Sequence, residues 1–549
     1  MKSKLTFSVI ILLVLSIMVS ACGTVKQTRD KSGKYFLNEN SEAVIDDVVF
    51  SSEKSTADNN RVFYEIFVGS FSDSNGDGIG DIRGIINRMD YLNDGNDSSG
   101  TSLGIEGIWL TPIFKSPSYH KYDVTDYYTI DPQFGTADDL KELISLCHER
   151  NVKIIIDLPI NHTGYLNQWF ISFLNAHRQG DTESKYYNYY CYYSAGESAP
   201  AGRSYSQLSG TNDYYECNFS GDMPELNFDN PNVRQEVLDI AKYYLDMGID
   251  GFRFDAAKYV YFGDNKKSVD FWEEYIGKLR EIKNDIYVVG EVWDGAGIIE
   301  MYENVMNCFD FTASQVNGII AETAKAGNVN NFTKYVNSYV SRKKSAETDP
   351  AIIPFVSNHD MDRAAGYLTV AGGAMKVAAN LYILSAGSPF IYYGEELGMR
   401  GSRGGANTDA NRRLAMLWGD GDTVKDPVGA TYGTSSQIDT TAKDQSADGD
   451  SLYSYYKRLI MIRKANPEIC RGEYKAVNFT GMKLGGFIST YEEKSVFVIH
   501  NTSKSSVTVD ISSFTDIDFT SLAAVIGVED ASLDGTTLTV GGQTSVVIR

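Results

Sequence analysis

The chain has 549 residues, a formal net charge of −22 and six cysteines. That length accommodates about three domains with sizeable cores. So acidic a surface excludes nucleic acid and anionic lipid as partners, because both select basic footprints. No CxxC pair occurs, which argues against zinc.

Taken in chain order, Lys2 and Lys4 precede an apolar run from Phe7 to Val19, and VSAC (Val19 to Cys22) follows. Residues 1–21 resemble a bacterial lipoprotein signal, cleaved before Cys22, whose thiol then takes the lipid. An ordinary secretory signal or an uncleaved anchor competes, but the apolar run is short for a spanning helix. Residues 22–60 are polar and aperiodic, and are expected to tether an exported domain to the membrane. Lipidation leaves five cysteines, and the spacing of Cys191 and Cys217 leaves their pairing open.

DSNGDGIGD (Asp73 to Asp81) puts oxygen side chains at loop positions one, three, five and nine, with Gly78 at six. That is the first half of an EF-hand loop, yet position twelve is Gly84 instead of the usual Glu. A damaged sensor hand, a calcium clip in another fold and a metal-free turn all remain open from the spacing alone.

Eight apolar runs of strand length then alternate with helical patterns. They span residues 62–68, 105–113, 152–160, 248–256, 286–292, 306–311, 352–358 and 389–393. Continuous apolar strands between helices predict an α/β fold, a closed (β/α)8 barrel, with a doubly wound open sheet as the competing topology. Nearly 90 residues separate the third and fourth runs. Residues 163–227 within that interval, which include YYNYYCYY, are expected to form a loop-rich inserted domain. The barrel then comprises residues 61–162 and 228–465. From 466 to 549 the pattern changes to short alternating strands, a C-terminal antiparallel β-sandwich. Tyrosine is abundant at 36 residues, and its flat amphipathic rings are suited to stacking on sugars.

Residues just beyond barrel strands face the active site. Four runs end in polar strings: DLPINH (157–162), GFRFDAAKY (251–259), VVGEVWD (288–294) and FVSNHD (355–360). They place Asp255, Glu291 and Asp360 beyond the fourth, fifth and seventh strands, around one mouth. Each carboxylate alone reads as a helix cap or a surface charge; their joint placement does not. Arg253, two residues before Asp255, shares its strand face and favours its ionised form. Glu291, beside Val292 and Trp293 and crowded by other carboxylates, suits a proton donor.

These strings resemble the alpha-amylase family of glycoside hydrolases. GIEGIWLTPIFKSPSYHKYDVTDYY (104–128), MPELN (223–227) and GSPFIYYGEELGM (387–399) extend the resemblance from about Arg61 to the C-terminus. The resemblance implies a retaining hydrolase with Asp255 as nucleophile, Glu291 as acid/base and Asp360 as transition-state stabiliser. It also implies that Tyr122 stacks under the bound glucose and that His162 and His359 donate to sugar hydroxyls. Arg253, His120 and Lys258 are carried over as further substrate-binding positions. Asn161, Asp157 and Asp123 are expected to orient the site or hold a second calcium. Relatives carry a similar loop as a structural calcium site, so Asp73, Asn75, Asp77, the Ile79 carbonyl and Asp81 become the expected Ca2+ ligands. The implied substrates are starch and maltooligosaccharides, cut internally at the cell surface by a monomeric, lipid-anchored enzyme. An exo-acting glucosidase, cyclomaltodextrinase or transferase of the same family is the alternative, and a non-catalytic starch-binding lipoprotein the alternative of another class. MPELN falls between the patterns of several subfamilies. Ala256 and Ala257 follow the nucleophile, where α-1,6-specific relatives tend to have Val and Ile. Tyr259 departs from the family's common His, which puts the leaving-group side in doubt. Tyr119 stands where exo-acting relatives have a small polar or acidic residue.

Overall fold

Strands β1 (Phe63–Ile66), β2 (Gly107–Leu110), β3 (Lys153–Leu158) and β4 (Gly251–Phe254) form one half of a parallel sheet. Strands β5 (Tyr287–Gly290), β6 (Asn307–Phe309), β7 (Ile352–Ile353) and β8 (Phe390–Tyr392) form the other half. The order β7-β6-β5-β4-β3-β2-β1-β8 runs without a break. The last seam is closed by Ser388 N–H donating to Ile352 O (2.7 Å) and Phe390 N–H to Pro354 O (3.0 Å). The expected (β/α)8 barrel is therefore the observed one. Helices cover the outside and side chains fill the inside, so both strand faces are buried; this is why the strands read as unbroken apolar runs. The computed structural model describes residues 60–549 apart from 97–98, 344–350, 371–372, 405–407, 480 and 482, with three two-residue strands ahead of them. Those three, Thr28–Arg29, Phe36–Leu37 and Ala43–Val44, pair antiparallel within the expected tether. The signal segment and Cys22 lie outside the described residues.

The helices carry their own punctuation. Thr136 and Asp139 form a capping box at the start of Ala137–Glu149. Pro231 opens Pro231–Met247, and Gly248 closes it in the left-handed region (φ 112°), a conformation that glycine adopts without steric cost.

The insertion is loop-rich around a small regular frame. It holds the helix Gln168–Gln179 and a three-stranded antiparallel sheet of Tyr192–Ser194, Tyr205–Gln207 and Asp213–Glu216. Some of its tyrosines extend the barrel's core: Tyr189 and Tyr190 are fully buried, and Phe170 and Phe173 pack against Tyr190. Much of YYNYYCYY thus supports the wall from inside instead of offering rings to a ligand. Cys191 and Cys217 both carry free thiols.

The C-terminal domain is a sandwich of a five-stranded and a three-stranded antiparallel sheet. The first comprises β9 (Glu473–Val477), β10 (Leu484–Tyr491), β11 (Lys494–Asn501), β13 (Leu522–Gly527) and β16 (Thr544–Ile548). The second comprises β12 (Val507–Asp510), β14 (Ala531–Asp534) and β15 (Thr537–Val540). A separate apolar cluster that includes Phe497, Leu538 and Val546 lies between them. Asn380, on a barrel helix, donates to Ile526 O (3.3 Å) and Ser545 Oγ (2.9 Å), tying this domain to the barrel.

Candidate active site

Arg253 stands opposite Asp157 in the β3–β4 register and is fully buried over the Trp109 ring, 5.2 Å from its centroid. Its Nη1–H donates to both Asp157 oxygens (2.9 and 3.0 Å) and to Asp255 Oδ1 (2.7 Å). Its Nη2 lies 3.1 Å from Glu291 Oε2. Asp255 directly follows β4 and Glu291 directly follows β5, so one guanidinium joins two carboxylates from neighbouring strand ends. Ala256 occupies the left-handed region (φ 48°), costly for a residue with a Cβ, and its N–H donates to Glu291 Oε2 at 2.9 Å. Strain of this kind directly behind Asp255 aims the carboxylate while anchoring its partner.

The other side of the mouth is organised by a histidine. His359 is fully buried in the loop after β7; Nδ1–H donates to Glu65 Oε1 on β1 (2.5 Å), and Nε2 lies 2.9 Å from Asp360 Oδ2. Tyr122 Oη, 2.7 Å from that same Nε2, donates to Asp157 Oδ2 (2.8 Å), and its ring stacks on the imidazole at an interplanar angle of 12°. Arg413, beyond β8, donates from Nη2 to Asp360 Oδ1 (2.7 Å) and from Nη1 to Tyr119 Oη (3.1 Å). The three carboxylates expected from the sequence thus meet through Arg253, His359 and Tyr122. Glu65 and Arg413, which complete the network, were not singled out by sequence reasoning.

The carboxylates differ in how they are held. Burial pushes Glu291 up to about 7; Arg253 opposes that push, while Asp255 and Asp360 add to it. Burial raises Asp255 as well, against Arg253, which gives it the shorter, direct hydrogen bond. Burial also lifts Asp157 to about 7, again against Arg253. Asp360 moves the other way: burial would raise it, but His359, Arg413 and Arg253 hold it well below the ordinary carboxylate range. Burial alone would lower His359, yet Asp360 and Glu65 lift it to about 10, so it is an imidazolium at neutral pH.

Burial lowers His162 to about 4, so it is neutral, and its Nε2 has no hydrogen-bond partner among the described residues. Phe219 of the insertion packs near its ring (5.4 Å) and near that of Tyr259 (4.9 Å). His120 is lowered to about 4 by burial and by Arg413, and its Nδ1 accepts from Tyr122 N–H (3.2 Å). Lys258 spans two strand-end loops, donating to Trp293 O (2.8 Å) and Asp294 Oδ2 (2.9 Å). Asn161 Nδ2 donates to Glu225, and Asp123 accepts from Ser116 Oγ at 2.6 Å. Beside Asp360, a cavity of about 500 Å³ is lined by Trp293, Val316, Tyr367, Arg412 and Tyr432. Trp293 is 42% exposed there and stacked on Phe311.

The loop of Asp73 to Asp81 lies between β1 and the helix Ile82–Asn87. Gly76 and Gly78 (φ 85° and 92°) supply its left-handed turns. Asp73 accepts from the N–H groups of Asn75, Gly76 and Gly78, Asn75 Oδ1 from Asp77 N–H, and Asp77 Oδ1 from Ile79 N–H. Asp81 caps the helix through Gly84 N–H. A set of hard oxygens turned around one short loop fits Ca2+ chemically. Among the described residues, no three His, Cys, Asp or Glu side chains are already gathered into a metal cage. No helix among them is long and apolar enough to cross a membrane.

A (β/α)8 barrel with paired carboxylates at the ends of β4 and β5 has the machinery of a glycoside hydrolase. Residues 65–472 match the model of the alpha-amylase catalytic domain, and the chain belongs to that family. It is 36% identical to alpha-amylase 3 of Dictyoglomus thermophilum over 453 residues, 80% of this chain and 84% of that protein. It is 30% identical over 431 residues to a cyclomaltodextrinase of Thermoanaerobacter pseudethanolicus, covering 77% of this chain and 64% of that one. Among solved structures, Eubacterium rectale Amy13B superposes with a TM-score of 0.82 at 33% identity, over 90% of this chain and 96% of that chain.

Proposed function

We propose that the chain hydrolyses internal α-1,4-glucosidic bonds of starch and maltooligosaccharides with retention of configuration. The observation that carries this reading is the Asp255–Arg253–Glu291 bridge facing Asp360. Asp255, held by the direct bond from Arg253, attacks the anomeric carbon as the glycosidic C–O bond breaks. Glu291, protonated below about pH 7, gives its proton to the departing oxygen and later takes one from the attacking water. Asp360, kept ionised by His359 and Arg413, lies against the positive charge that develops on the ring. Tyr122 and His359 fix the floor of the innermost subsite. The similarity to an alpha-amylase supports starch as substrate.

Internal cleavage is favoured by Tyr119. Its hydroxyl accepts from Arg413, so the position that exo-acting relatives give to a small polar or acidic group holds a neutral ring. The test is a maltoheptaoside blocked at its non-reducing end, which an endo-acting enzyme cleaves readily. Cleavage of the unblocked sugar alone would overturn the reading. A second reading, transfer of the glycosyl unit to another sugar, is favoured by the Phe219–Tyr259 ledge, where a sugar acceptor can stack, and by similarity to 4-alpha-glucanotransferases. Product analysis of the same reaction distinguishes it, since transfer yields chains longer than the substrate.

The enzyme is also proposed to be exported and lipid-anchored through Cys22, on the strength of the VSAC string. A structural Ca2+ is proposed in the loop after β1, held by Asp73, Asn75, Asp77, the Ile79 carbonyl and Asp81. When bound, it would fix that loop and take no part in bond cleavage.

A further inference from the structure

A second cavity of about 550 Å³ contains none of the catalytic carboxylates. It opens between the antiparallel hairpin of Phe114–Lys115 with Asp126–Ile130 and the start of the inserted helix Gln168–Gln179. Its apolar surface is unusually open: Leu166 is 60% exposed and Tyr128 43%. Tyr128 is held edge-on by Tyr243, with ring centroids 5.3 Å apart. The Trp169 indole stacks on Tyr127 (6.0 Å, 28°), whose hydroxyl donates to Pro159 O (2.7 Å) and His162 O (2.9 Å). The floor is therefore tied to the loop after β3 that carries His162. Among the described residues, the Trp169 indole N–H, the Tyr128 hydroxyl and the Lys115 ammonium make no hydrogen bond within the protein. Fixed rings edged by unused donors match the alternating apolar faces and hydroxyl rims of a glucan.

We infer that this groove is a second α-glucan site, which holds a short stretch of polymer outside the catalytic cleft. The inference rests on the proposed action on starch. Holding one chain at two points raises its effective concentration at the cleft, so the groove serves polymer and contributes nothing to short substrates.

The test compares wild type with Trp169→Ala/Tyr128→Ala and with Tyr128→Ser/Leu166→Ser, the second pair touching only well-exposed side chains. Expected is a fall of at least about fivefold in adsorption to starch granules, with kcat/KM on a chromogenic maltotrioside kept within about twofold. Should the first variant also lose maltotrioside activity, the second decides, and its unchanged adsorption overturns the inference. Unchanged adsorption in both variants overturns it outright. Failure of wild type to cleave either maltooligosaccharide or starch would instead refute the proposed substrate class, a result separate from loss or retention of adsorption.

Discussion

Glu65 is a buried carboxylate on β1 whose one strong partner is the His359 Nδ1–H, at 2.5 Å. Replacing it by Gln keeps an acceptor and the side-chain volume but removes the charge. With charge centres about 4 Å apart and an effective dielectric near 20, the lost attraction is about 4 kcal/mol. That corresponds to about three pKa units. His359, now held at about 10, should therefore titrate near about 7 in Glu65→Gln. Asp360, 2.9 Å from Nε2, stays in place and supplies the remaining support.

The consequence is read on the alkaline side of the pH–rate profile. In wild type one group, Glu291 at about 7, must keep its proton, so log kcat/KM falls with a slope of −1 above that pH. In Glu65→Gln two groups must keep theirs, and the slope approaches −2. At pH 8.5 the variant should be about thirtyfold below wild type, and at pH 6 within about twofold. The sign for stability agrees. A raised imidazole pKa stabilises the fold fully below about 6.5 and loses that contribution as pH rises through about 10, so the variant's stability deficit should be largest in acid and fade in alkali. Superimposable profiles, with His359 still titrating above 9 by NMR in the variant, would refute the reasoning.

Asp255→Asn and Glu291→Gln should each lower kcat by at least about a thousandfold with melting temperature nearly kept; more than about a tenth of wild-type activity in Asp255→Asn removes the nucleophile assignment. Chelation should lower the melting temperature, as should Asp77→Ala. A metal-free protein that melts unchanged on adding calcium would remove the proposed ion. Cys22→Ser should abolish lipid attachment, seen as loss of the acyl mass and of membrane fractionation; membrane retention unchanged in that variant defeats the anchor.

The barrel was legible because its physics is written locally. A strand buried on both faces is mostly apolar, and runs such as KIIIDL and YVVG announce that without any knowledge of their neighbours. Strand ends were less legible. The run at 352–358 forms a strand only at Ile352–Ile353; the rest leaves the sheet to carry His359 and Asp360 over the mouth. The interior of the insertion was less legible still. Tyrosine-rich composition pointed to rings for stacking on sugars, yet a tyrosine ring is large enough to fill a core when its hydroxyl finds a partner, as Tyr190 does with Thr163 Oγ1 (2.7 Å).

Active-site carboxylates were readable because each sits just past an apolar run, a position with meaning in a barrel. Glu65 and Arg413 had no such mark. Glu65 lies inside a strand, where alternation shows which face it takes but not that a histidine nearly 300 residues later faces it. Arg413 follows β8 in a stretch whose path depends on tertiary contacts, including its own bond to the His359 carbonyl (3.0 Å). Their importance follows from the electrostatics of the pair they support. Asp360 remains an anion in a buried site because His359, Arg413 and Arg253 face it, and His359 remains a cation because Asp360 and Glu65 face it from its two sides. Removing any one charge leaves its buried neighbour only partly compensated, at a cost greater than the net worth of the pair. The site therefore works as one balanced set, and its weakest sequence signal, a glutamate within an apolar strand, controls the proton on its central histidine.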